Sequence, residues 1–384
     1  MSSKVTDYKS FKEFASGIFG DGFIPLHRPV FGGNEKQYLA ECIESNFVSS
    51  VGVKVSEFEN LVASFCGSKY GIATMNGTSA LHVSLLLVGV NSGDEVLTQA
   101  TTFIATCNAI SYCQASPVLL DIDEDTLGLS PYSLKSFLAE FGDVRSNGTF
   151  NRITGRRIAA CLPMHTFGNP CRILEIVEIC NEYGIPVVED AAESLGSYVN
   201  SKYTGSFGKC GVFSFNGNKI ITTGGGGVII TDDAELASRA KYITTTAKVP
   251  HSWEFVHDQI AYNYRMPNLN AALGCAQMEQ LDTFLTKKAE LADQWDIFFT
   301  KKKINFFRPI DGNISNNWLN TIVLDSKKER DEFLKNTNEI GIMTRPAWML
   351  MSDLVMFQSC QTDGLKTSRW VQDRLVNIPS SVPD

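Results

Sequence analysis

Short apolar runs alternate with longer amphipathic segments between about residues 35 and 245. Runs of this length, bounded by glycine, proline and aspartate, are typical of buried β-strands. The candidate strands are 70–75, 95–98, 117–122, 157–163, 186–189, 211–215 and 227–231, and the clearest candidate helices are 79–87, 103–113 and 171–183. This alternation predicts an α/β fold with a mostly parallel sheet between layers of helices. In such a sheet, ligands bind at the carboxyl ends of the strands.

The pattern changes after about residue 245. A helical region begins at Asn268, directly after Pro267, and proline is favoured at the start of a helix. An apolar strand at 318–324 and an amphipathic helix at 328–340 follow. We therefore expect a large domain over residues 35–245. Residues 246–384 are expected to form a smaller α+β domain together with the N-terminal arm, residues 1–34.

Composition argues against several classes of protein. The chain has 384 residues and a net charge of −8, and its largest basic cluster is 301–303. Nucleic-acid binding relies on basic surfaces that neutralise phosphates, so we expect no nucleic-acid partner. The N-terminus has no apolar signal segment, and the longest apolar stretch, 81–90, is too short to cross a bilayer. Ten cysteines without a CxxC pair favour free thiols in the cytoplasm, with no membrane association.

The segment Asn76-Gly-Thr-Ser follows the first candidate strand and opens a candidate helix. Its glycine allows a tight turn, and the unpaired N–H groups of a helix N-terminus attract anions such as phosphate. Gly77, Thr78 and Ser79 are therefore candidate phosphate ligands, although an ordinary helix N-cap has the same sequence. Phe103 follows the next strand, where an aromatic ring can either stack on a flat heterocycle or fill the core.

Two acids, Asp190 and Glu193, follow the candidate strand at 186–189. A buried carboxylate is costly unless it meets a positive charge or hydrogen-bond donors. A protonated pyridine nitrogen supplies such a charge, and an adjacent carboxylate keeps that nitrogen protonated. A helix cap or an ion pair with a lysine would explain Asp190 equally well. Glu193 could reach a hydroxyl group on the same pyridine ring.

Lys219 follows the strand at 211–215 and precedes four consecutive glycines, 224–227. Its primary amine can form a Schiff base with an aldehyde. A lysine for the aldehyde and an acid for the ring nitrogen are the groups that pyridoxal 5'-phosphate (PLP) requires. Ser214, just before the lysine, could add a hydroxyl group to the phosphate site. The glycine run matches neither the Walker loop nor the GxGxxG fingerprint of nucleotide-binding proteins. The histidines lack the spacing of metal ligands, so we expect no metal.

Five segments in this order carry a resemblance to a known family: NGTSALH, TTFIAT, VVEDAAESLGS, GSFGKCGVFSFNGNKIITTGGGG and YNYRMPNLNAALGCAQ. Over residues 25 to about 280, the chain resembles the PLP-dependent sugar-nucleotide aminotransferases of the DegT/StrS family. The resemblance implies a fold-type I architecture and a catalytic Lys219. It also implies the cofactor contacts of Gly77, Thr78, Phe103, Asp190, Glu193 and Ser214. Asn263 corresponds to an asparagine that reaches the phosphate of the neighbouring subunit, which implies a homodimer with shared active sites.

The opening segment IPLHRPVFGGNEKQYLAECIESNFVSSVG and the phrase FNGNKIITTGGGG are most similar to one branch of that family. This branch aminates UDP-4-keto-6-deoxy-N-acetylhexosamines for surface sugars, with L-glutamate as the usual donor. A dehydratase branch has histidine in place of the lysine, so Lys219 favours transamination. The alternatives are an aminotransferase for a 3-keto sugar or a dTDP-sugar, and a non-catalytic regulator that has kept the fold.

Candidate substrate contacts come mainly from the C-terminal third of the chain, where the resemblance is weaker. They are His165, Arg265, Trp318 and Arg345. Arg345 could bind the nucleotide diphosphate or the carboxylate of the amino donor. A surface arginine without a ligand would explain this residue nearly as well. We also expect a little more sequence after Asp384.

Overall fold

The computed structural model of the protein describes residues 7–383, in which helices and strands alternate along most of the chain. The helices are α1 (Tyr8–Phe19), α2 (Glu35–Glu44), α3 (Val53–Phe65), α4 (Gly77–Leu87), α5 (Ile104–Tyr112), α6 (Pro131–Phe141), α7 (Ile173–Glu182), α8 (Ala234–Thr244), α9 (Asn268–Met278), α10 (Leu281–Lys301), α11 (Lys327–Glu339) and α12 (Lys366–Gln372). Short 3₁₀ turns lie at Thr166–Gly168, Met351–Asp353 and Val355–Phe357.

The strands include several short pairs besides those of the central sheet. They are β1 (Tyr70–Thr74), β2 (Glu95–Gln99), β3 (Ser116–Leu120), β4 (Gly142–Arg145), β5 (Gly148–Asn151), β6 (Ile158–Cys161), β7 (Val188–Asp190), β8 (Tyr198–Val199), β9 (Lys202–Tyr203), β10 (Cys210–Ser214), β11 (Gly227–Thr231), β12 (Lys248–Val249), β13 (Val256–His257), β14 (Asn305–Phe306), β15 (Asn313–Ile314), β16 (Asn320–Val323), β17 (Arg345–Pro346) and β18 (Leu375–Ile378).

The central sheet has the strand order β1-β11-β10-β7-β6-β2-β3. Its two halves meet where Cys161 forms a parallel bridge with Val187. Strand β11 is antiparallel to both of its neighbours, whereas β10, β7, β6, β2 and β3 run parallel. The predicted mostly parallel α/β sheet is therefore confirmed. The carboxyl ends of β1, β2, β7 and β10 lie at one edge of this sheet.

Burial of the strands explains their near-continuous apolar sequences. Every residue of β2, β6, β7 and β11 is buried, because helices cover both faces of a parallel sheet. One apolar cluster joins Val96, Val188, Val212 and Ile229 across the sheet. This packing sets the position of each strand end, and therefore the position of the polar residues that follow it.

A second sheet, with the order β14-β16-β18-β17, forms the C-terminal region together with α10 and α11. The strand predicted at 318–324 and the helix predicted at 328–340 correspond to β16 and α11. The helical region that begins at Asn268 is divided into α9 and α10 by Glu279 and Gln280. The Gln280 side chain donates to the Ala276 carbonyl at 3.2 Å, and such local bonds compete with the helix backbone.

The N-terminal arm packs against the C-terminal region through aromatic residues of α1. The ring centroid of Phe11 lies 5.5 Å from that of Trp295, and Phe14 stacks on Phe298 at 4.5 Å. These contacts suit the expected grouping of residues 1–34 with residues 246–384. Residues 1–6 lie outside the described chain, and the exact division between two domains stays a prediction.

Candidate active site

A cavity of about 290 Å³ opens at the carboxyl edge of the central sheet. It contains most of the residues that the sequence singles out. Its lining comprises Asn76, Gly77, Thr78, Leu81, Phe103, Ala105, Met164, Asp190, Ala192, Glu193, Ser214, Asn216, Asn218, Lys219, Trp318 and Trp348. Residues that are far apart in the sequence are brought together because β1, β2, β7 and β10 all end at this edge.

Lys219 reaches this cavity from the turn that follows β10. Its backbone N–H donates to the Asn216 carbonyl at 3.0 Å, and the adjacent Ile220 is buried in the core. The side chain is only 12% exposed, and Nζ lies 3.3 Å from Oε1 of Glu193. The Trp318 ring lies on another side, with its centroid 4.1 Å from Nζ. The amine is thus held inside the cavity between an acid and an aromatic face.

Asp190 ends β7 and is almost completely buried. Burial raises the pKa of its carboxyl group above the ordinary value. Thr106 Oγ1 donates to Oδ2 at 2.7 Å and the Ala192 N–H donates to Oδ1 at 3.2 Å, and both bonds act against the effect of burial. A carboxylate with two donors, placed on a cavity wall, can keep its charge when a cationic ring nitrogen faces it.

Glu193 lies just beyond the end of the same strand and is also buried. Its Oε2 accepts a hydrogen bond from the Phe167 N–H at 2.9 Å. Burial raises the pKa of this carboxyl group to about 7, although Lys219 and the Phe167 N–H both lower it. Asp190 adds a further upward contribution because two negative charges would lie close together. Glu193 is therefore an acid that can hold or release a proton near neutral pH.

The first turn of α4 supplies the candidate phosphate site. Asn76 caps the helix by accepting the Ser79 N–H on its Oδ1 at 2.8 Å, so that N–H is already used. The N–H groups of Gly77 and Thr78, the two residues before Ser79 in the same turn, have no partner within the helix and can bind an anion. A Cβ atom on Gly77 would lie 3.0 Å from the Ser214 Cβ atom. A larger residue here would have to displace the Ser214 side chain by a few tenths of an ångström, so glycine suits this close approach of α4 to β10.

These features test whether PLP fits the residues present. A helix N-terminus that begins with glycine, the Ser214 hydroxyl group and a buried acid line one small cavity with a reachable lysine. The helix N-terminus and the hydroxyl group suit a phosphate, the acid suits a pyridine nitrogen, and the lysine suits an aldehyde. Phe103 is 46% exposed and lies in the loop after β2, where its ring could cover a flat ligand. The residues present fit the cofactor.

Five of the predicted residues lie outside the lining of this cavity. Ser79 is buried, and its N–H donates to Asn76. His165 has no exposed surface, and its Nε2 lies 3.1 Å from Oε2 of Glu189, so it supports β7 and does not face the cavity. Asn263 is exposed, and its backbone forms an isolated β-bridge with Thr245. The backbone of Arg265 forms such a bridge with Thr74 at the end of β1. Arg345 is exposed and donates to Asn338 Oδ1 at 2.8 Å. Their proposed roles are not established by the cavity of a single chain.

Other residues of the site have no sequence signal of their own. Asn316 donates from Nδ2 to the Glu193 and Leu195 carbonyls, both at 2.9 Å, and accepts the Trp318 N–H at 2.9 Å. It thereby connects the loop after β7 with the tryptophan that covers Lys219. Nothing in the run Ser-Asn-Asn-Trp distinguishes this asparagine from a loop residue, because the two carbonyls that its amide binds lie more than 100 residues away in the chain.

Comparison with known proteins identifies the family. A sequence model of the DegT/DnrJ/EryC1/StrS aminotransferase family matches residues 30–383. The chain belongs to this family. The enzyme is 36% identical over 333 residues to EpsN of Bacillus subtilis, described as a pyridoxal phosphate-dependent aminotransferase, covering 85% of this chain and 81% of EpsN. It is 35% identical to the GDP-perosamine synthase of Escherichia coli O157:H7, with 87% of each chain covered.

Solved structures agree with this assignment. The aminotransferase TlmJ from Streptoalloteichus hindustanus superposes with a TM-score of 0.84, with 25% sequence identity and 94% of each chain covered. The protein is thus a PLP-dependent sugar aminotransferase, and the expectations for the enzyme class and the cofactor are confirmed. Within residues 7–383, no helix is long and apolar enough to cross a membrane, and no cluster of potential metal ligands is found.

Proposed function

We propose that this aminotransferase moves an amino group from L-glutamate to C4 of a UDP-4-keto-6-deoxy-N-acetylhexosamine. The product would be the corresponding UDP-4-amino-4,6-dideoxy sugar for surface glycans. The meeting of Lys219, Asp190 and Glu193 in one buried cavity supports the chemistry. The similarity of the opening segment and of FNGNKIITTGGGG to one branch of the family supports the choice of sugar nucleotide.

Lys219, Asp190, Ser214 and the first turn of α4 each have a task in this proposal. When bound, PLP supplies an aldehyde and an electron-withdrawing ring. Lys219 moves protons between the reacting carbons as a general base and then as a general acid. Asp190 holds a proton on the ring nitrogen, while the first turn of α4 and Ser214 bind the phosphate. Because Lys219 Nζ is already inside the cavity, proton transfer requires only a short movement.

The sugar nucleotide is proposed to enter beside Trp318 and Trp348, which line the cavity together with Phe103. The centroids of Phe103 and Trp348 lie 6.1 Å apart, so the mouth of the cavity is largely aromatic. Aromatic faces suit the apolar side of a hexose ring and of a 6-deoxy carbon. Arg265, Arg345 and His165 are not part of this mouth in one chain, and a direct contact of these side chains with the sugar stays a prediction.

A homodimer would complete the site. Asn263 is exposed and lies outside the cavity of its own chain, as a residue directed at a neighbouring subunit would. We propose that it contacts the phosphate bound by a second copy, which agrees with the resemblance on which its role is based. The cytoplasmic location inferred from composition also stays a prediction.

The relatives favour a second candidate substrate. Proteins named GDP-perosamine synthase from Escherichia coli O157:H7 and Caulobacter vibrioides are 35% and 33% identical to this chain over 87% and 93% of its length. A GDP-linked 4-keto-6-deoxy sugar is therefore the principal alternative to the UDP-linked N-acetyl sugar. Both alternatives use the same cavity chemistry and differ in the nucleotide and in the substituent at C2.

A substrate panel tests the proposal. The PLP-loaded enzyme is incubated with L-glutamate and with 4-keto-6-deoxy or 3-keto-6-deoxy sugars linked to UDP, GDP or dTDP, and the amino sugars are measured by mass spectrometry. We expect the highest kcat/KM with the UDP-linked N-acetylhexosamine. A higher value with the GDP-linked sugar would replace the proposed substrate with the alternative. Formation of a 3-amino isomer from a 3-keto substrate would contradict the C4 assignment.

A further inference from the structure

Two buried acids lie at the end of β7, yet their hydrogen-bond partners differ. Asp190 accepts one bond from the Thr106 hydroxyl group and one from the Ala192 N–H. Glu193 accepts one bond from the Phe167 N–H, and its other oxygen faces the Lys219 amine at 3.3 Å. Neutral donors hold Asp190 in place, whereas the partner of Glu193 is itself a group that gives and takes protons. This difference separates the roles of the two acids.

The surroundings of Glu193 favour direct proton exchange with Lys219. Glu193 is 3% exposed, so water has little access to compete for its Oε1. The Asn316 amide donates to the Glu193 backbone carbonyl at 2.9 Å and keeps the loop after β7 in place. The ionisable groups that face the Glu193 carboxyl are Asp190 at the end of β7 and Lys219 after β10. One proton can therefore be shared between Glu193 and Lys219 with little competition from bulk water.

A free lysine presents a problem that this arrangement solves. In the amine form of the cofactor, Lys219 is not covalently attached, and an ammonium group cannot act as a base. A proton acceptor next to Nζ would release the neutral amine without admitting water. A carboxyl group with an ordinary pKa would be a poor acceptor, because the proton would return to the amine at once. Burial raises the pKa of the Glu193 carboxyl to about 7, which makes it a better proton acceptor than an ordinary carboxylate.

We propose that Glu193 accepts a proton from the Lys219 ammonium group, so that the neutral amine can take a proton from the reacting carbon. An N–H bond at Nζ breaks, an O–H bond forms at Oε1, and the electron pair left on nitrogen becomes the base. No group is oxidised or reduced, and return of the proton restores the ion pair. The inference goes beyond the ring-hydroxyl contact expected for Glu193, and it rests on the proposed role of Lys219 as the base.

Infrared difference spectroscopy on the holoenzyme in its pyridoxamine phosphate form tests the proton-holding group directly. With ¹³C-labelled glutamate residues, we expect one protonated-carboxyl band that titrates with a midpoint of about 7. The band should be missing from Glu193→Gln. A carboxyl band at this pH that persists in Glu193→Gln, or no such band in the wild type, would overturn the proposal. This measurement requires no sugar substrate.

Single-turnover kinetics test the function of that proton. The aminated enzyme is mixed with saturating keto sugar over a range of pH. Below a pH of about 7, Glu193 holds a proton of its own and cannot accept another, so the wild-type rate should fall. Glu193→Gln should lose the limb near pH 7, because the Lys219 proton must then leave to solvent, and should be slower by about 10²-fold at its maximum, the usual range for a general acid–base group. An unchanged limb in Glu193→Gln would contradict the proposal.

Matched variants separate this proposal from the assignment of Lys219. Thr106→Val removes a donor to Asp190 and should slow the reaction while keeping the acidic limb. Lys219→Ala should abolish proton transfer altogether. Inactivity of Lys219→Ala together with a wild-type pH profile for Glu193→Gln would reject only the role of Glu193. If Glu193→Gln fails to fold, Glu193→Asp is used, and a midpoint equal to that of the wild type would count against the proposal because the shorter carboxylate moves away from Nζ.

Discussion

The indole ring of Trp318 covers the amine of Lys219, with its centroid 4.1 Å from Nζ. The same indole donates its Nε1–H to the Asn218 carbonyl at 2.6 Å, one residue before the lysine. Trp318 thus fixes both the backbone and the amine of Lys219. A cation over an aromatic face gains about 0.5–2 kcal/mol, so this contact also affects how readily the lysine moves within the cavity.

Substitution of Trp318 should separate these two contributions. Trp318→Phe keeps an aromatic face but loses the bond to Asn218, whereas Trp318→Leu loses both. We expect a graded fall in kcat, with Trp318→Leu slower than the wild type by roughly tenfold, the equivalent of about 1.4 kcal/mol. Steady-state kinetics measure the effect, and Trp253→Leu, at a residue that is 78% exposed, is the control. Equal rates for the two Trp318 variants would show that the ring face is unimportant.

Removal of the Lys219 amine should abolish transamination. Lys219→Ala leaves the cavity and its acids in place but removes the group that transfers protons. We expect a loss of at least about 10²–10⁴-fold in kcat and loss of the visible absorbance of the lysine-bound cofactor. Lys209→Ala is the matched control, because Lys209 is exposed and does not line the cavity. Normal turnover by Lys219→Ala would refute the assignment of the base.

Gly77→Ala should weaken cofactor binding. The new Cβ atom would lie 3.0 Å from Ser214 Cβ and 3.3 Å from Ser214 Oγ, where the phosphate is proposed to bind. Separation of α4 from β10 would cost about 1–3 kcal/mol, so we expect the Kd for PLP to rise at least roughly tenfold. Titration of the apoenzyme measures it. Gly17→Ala in α1, where a Cβ atom meets nothing within 4 Å, should leave the Kd unchanged.

The sequence predicts the central sheet well because a sheet buried on both faces requires apolar runs of strand length. Lys219, Asp190 and Ser214 could be found for the same reason, since each lies at or just beyond the end of such a run. The hairpin of β4 and β5 is missed because its sequence, with Asp143, Arg145 and Thr149, has little apolar character. Local pattern is uninformative where strand formation depends on pairing alone.

Contacts between distant parts of the chain are not visible in the sequence. Asn316 and the Phe167 N–H both position Glu193, yet a loop asparagine and a backbone amide carry no motif. His165 is a different case, because a histidine beside a strand end suggests a ligand contact. The structure instead pairs it with the buried Glu189, which also accepts the N–H groups of Gly205, Phe207 and Gly208. Only the packing of β7 against that loop reveals this role.

A fully buried lysine of α10 should make stability depend on pH. Lys288 Nζ donates to the carbonyls of Trp318 and Ser380, and burial lowers its pKa from 10.5 to about 7. Two acceptors match the two N–H bonds of a neutral amine. Between about pH 7 and 10.5, the unfolded chain binds a proton that the folded chain does not. The free energy of unfolding should therefore rise with pH in this window, by up to about 1.4 kcal/mol per pH unit.

Comparison of variants isolates the contribution of Lys288 from those of other titrating groups. Urea unfolding is measured at several pH values for the wild type, for Lys288→Met and for Lys335→Met, whose side chain is 74% exposed in the wild type. We expect Lys288→Met to lose the rise above about pH 7, because methionine has no proton to bind in either state. Lys335→Met should keep the wild-type slope. An identical slope for Lys288→Met would mean that Lys288 stays charged in the folded protein, with its two carbonyl partners stabilising the ammonium group.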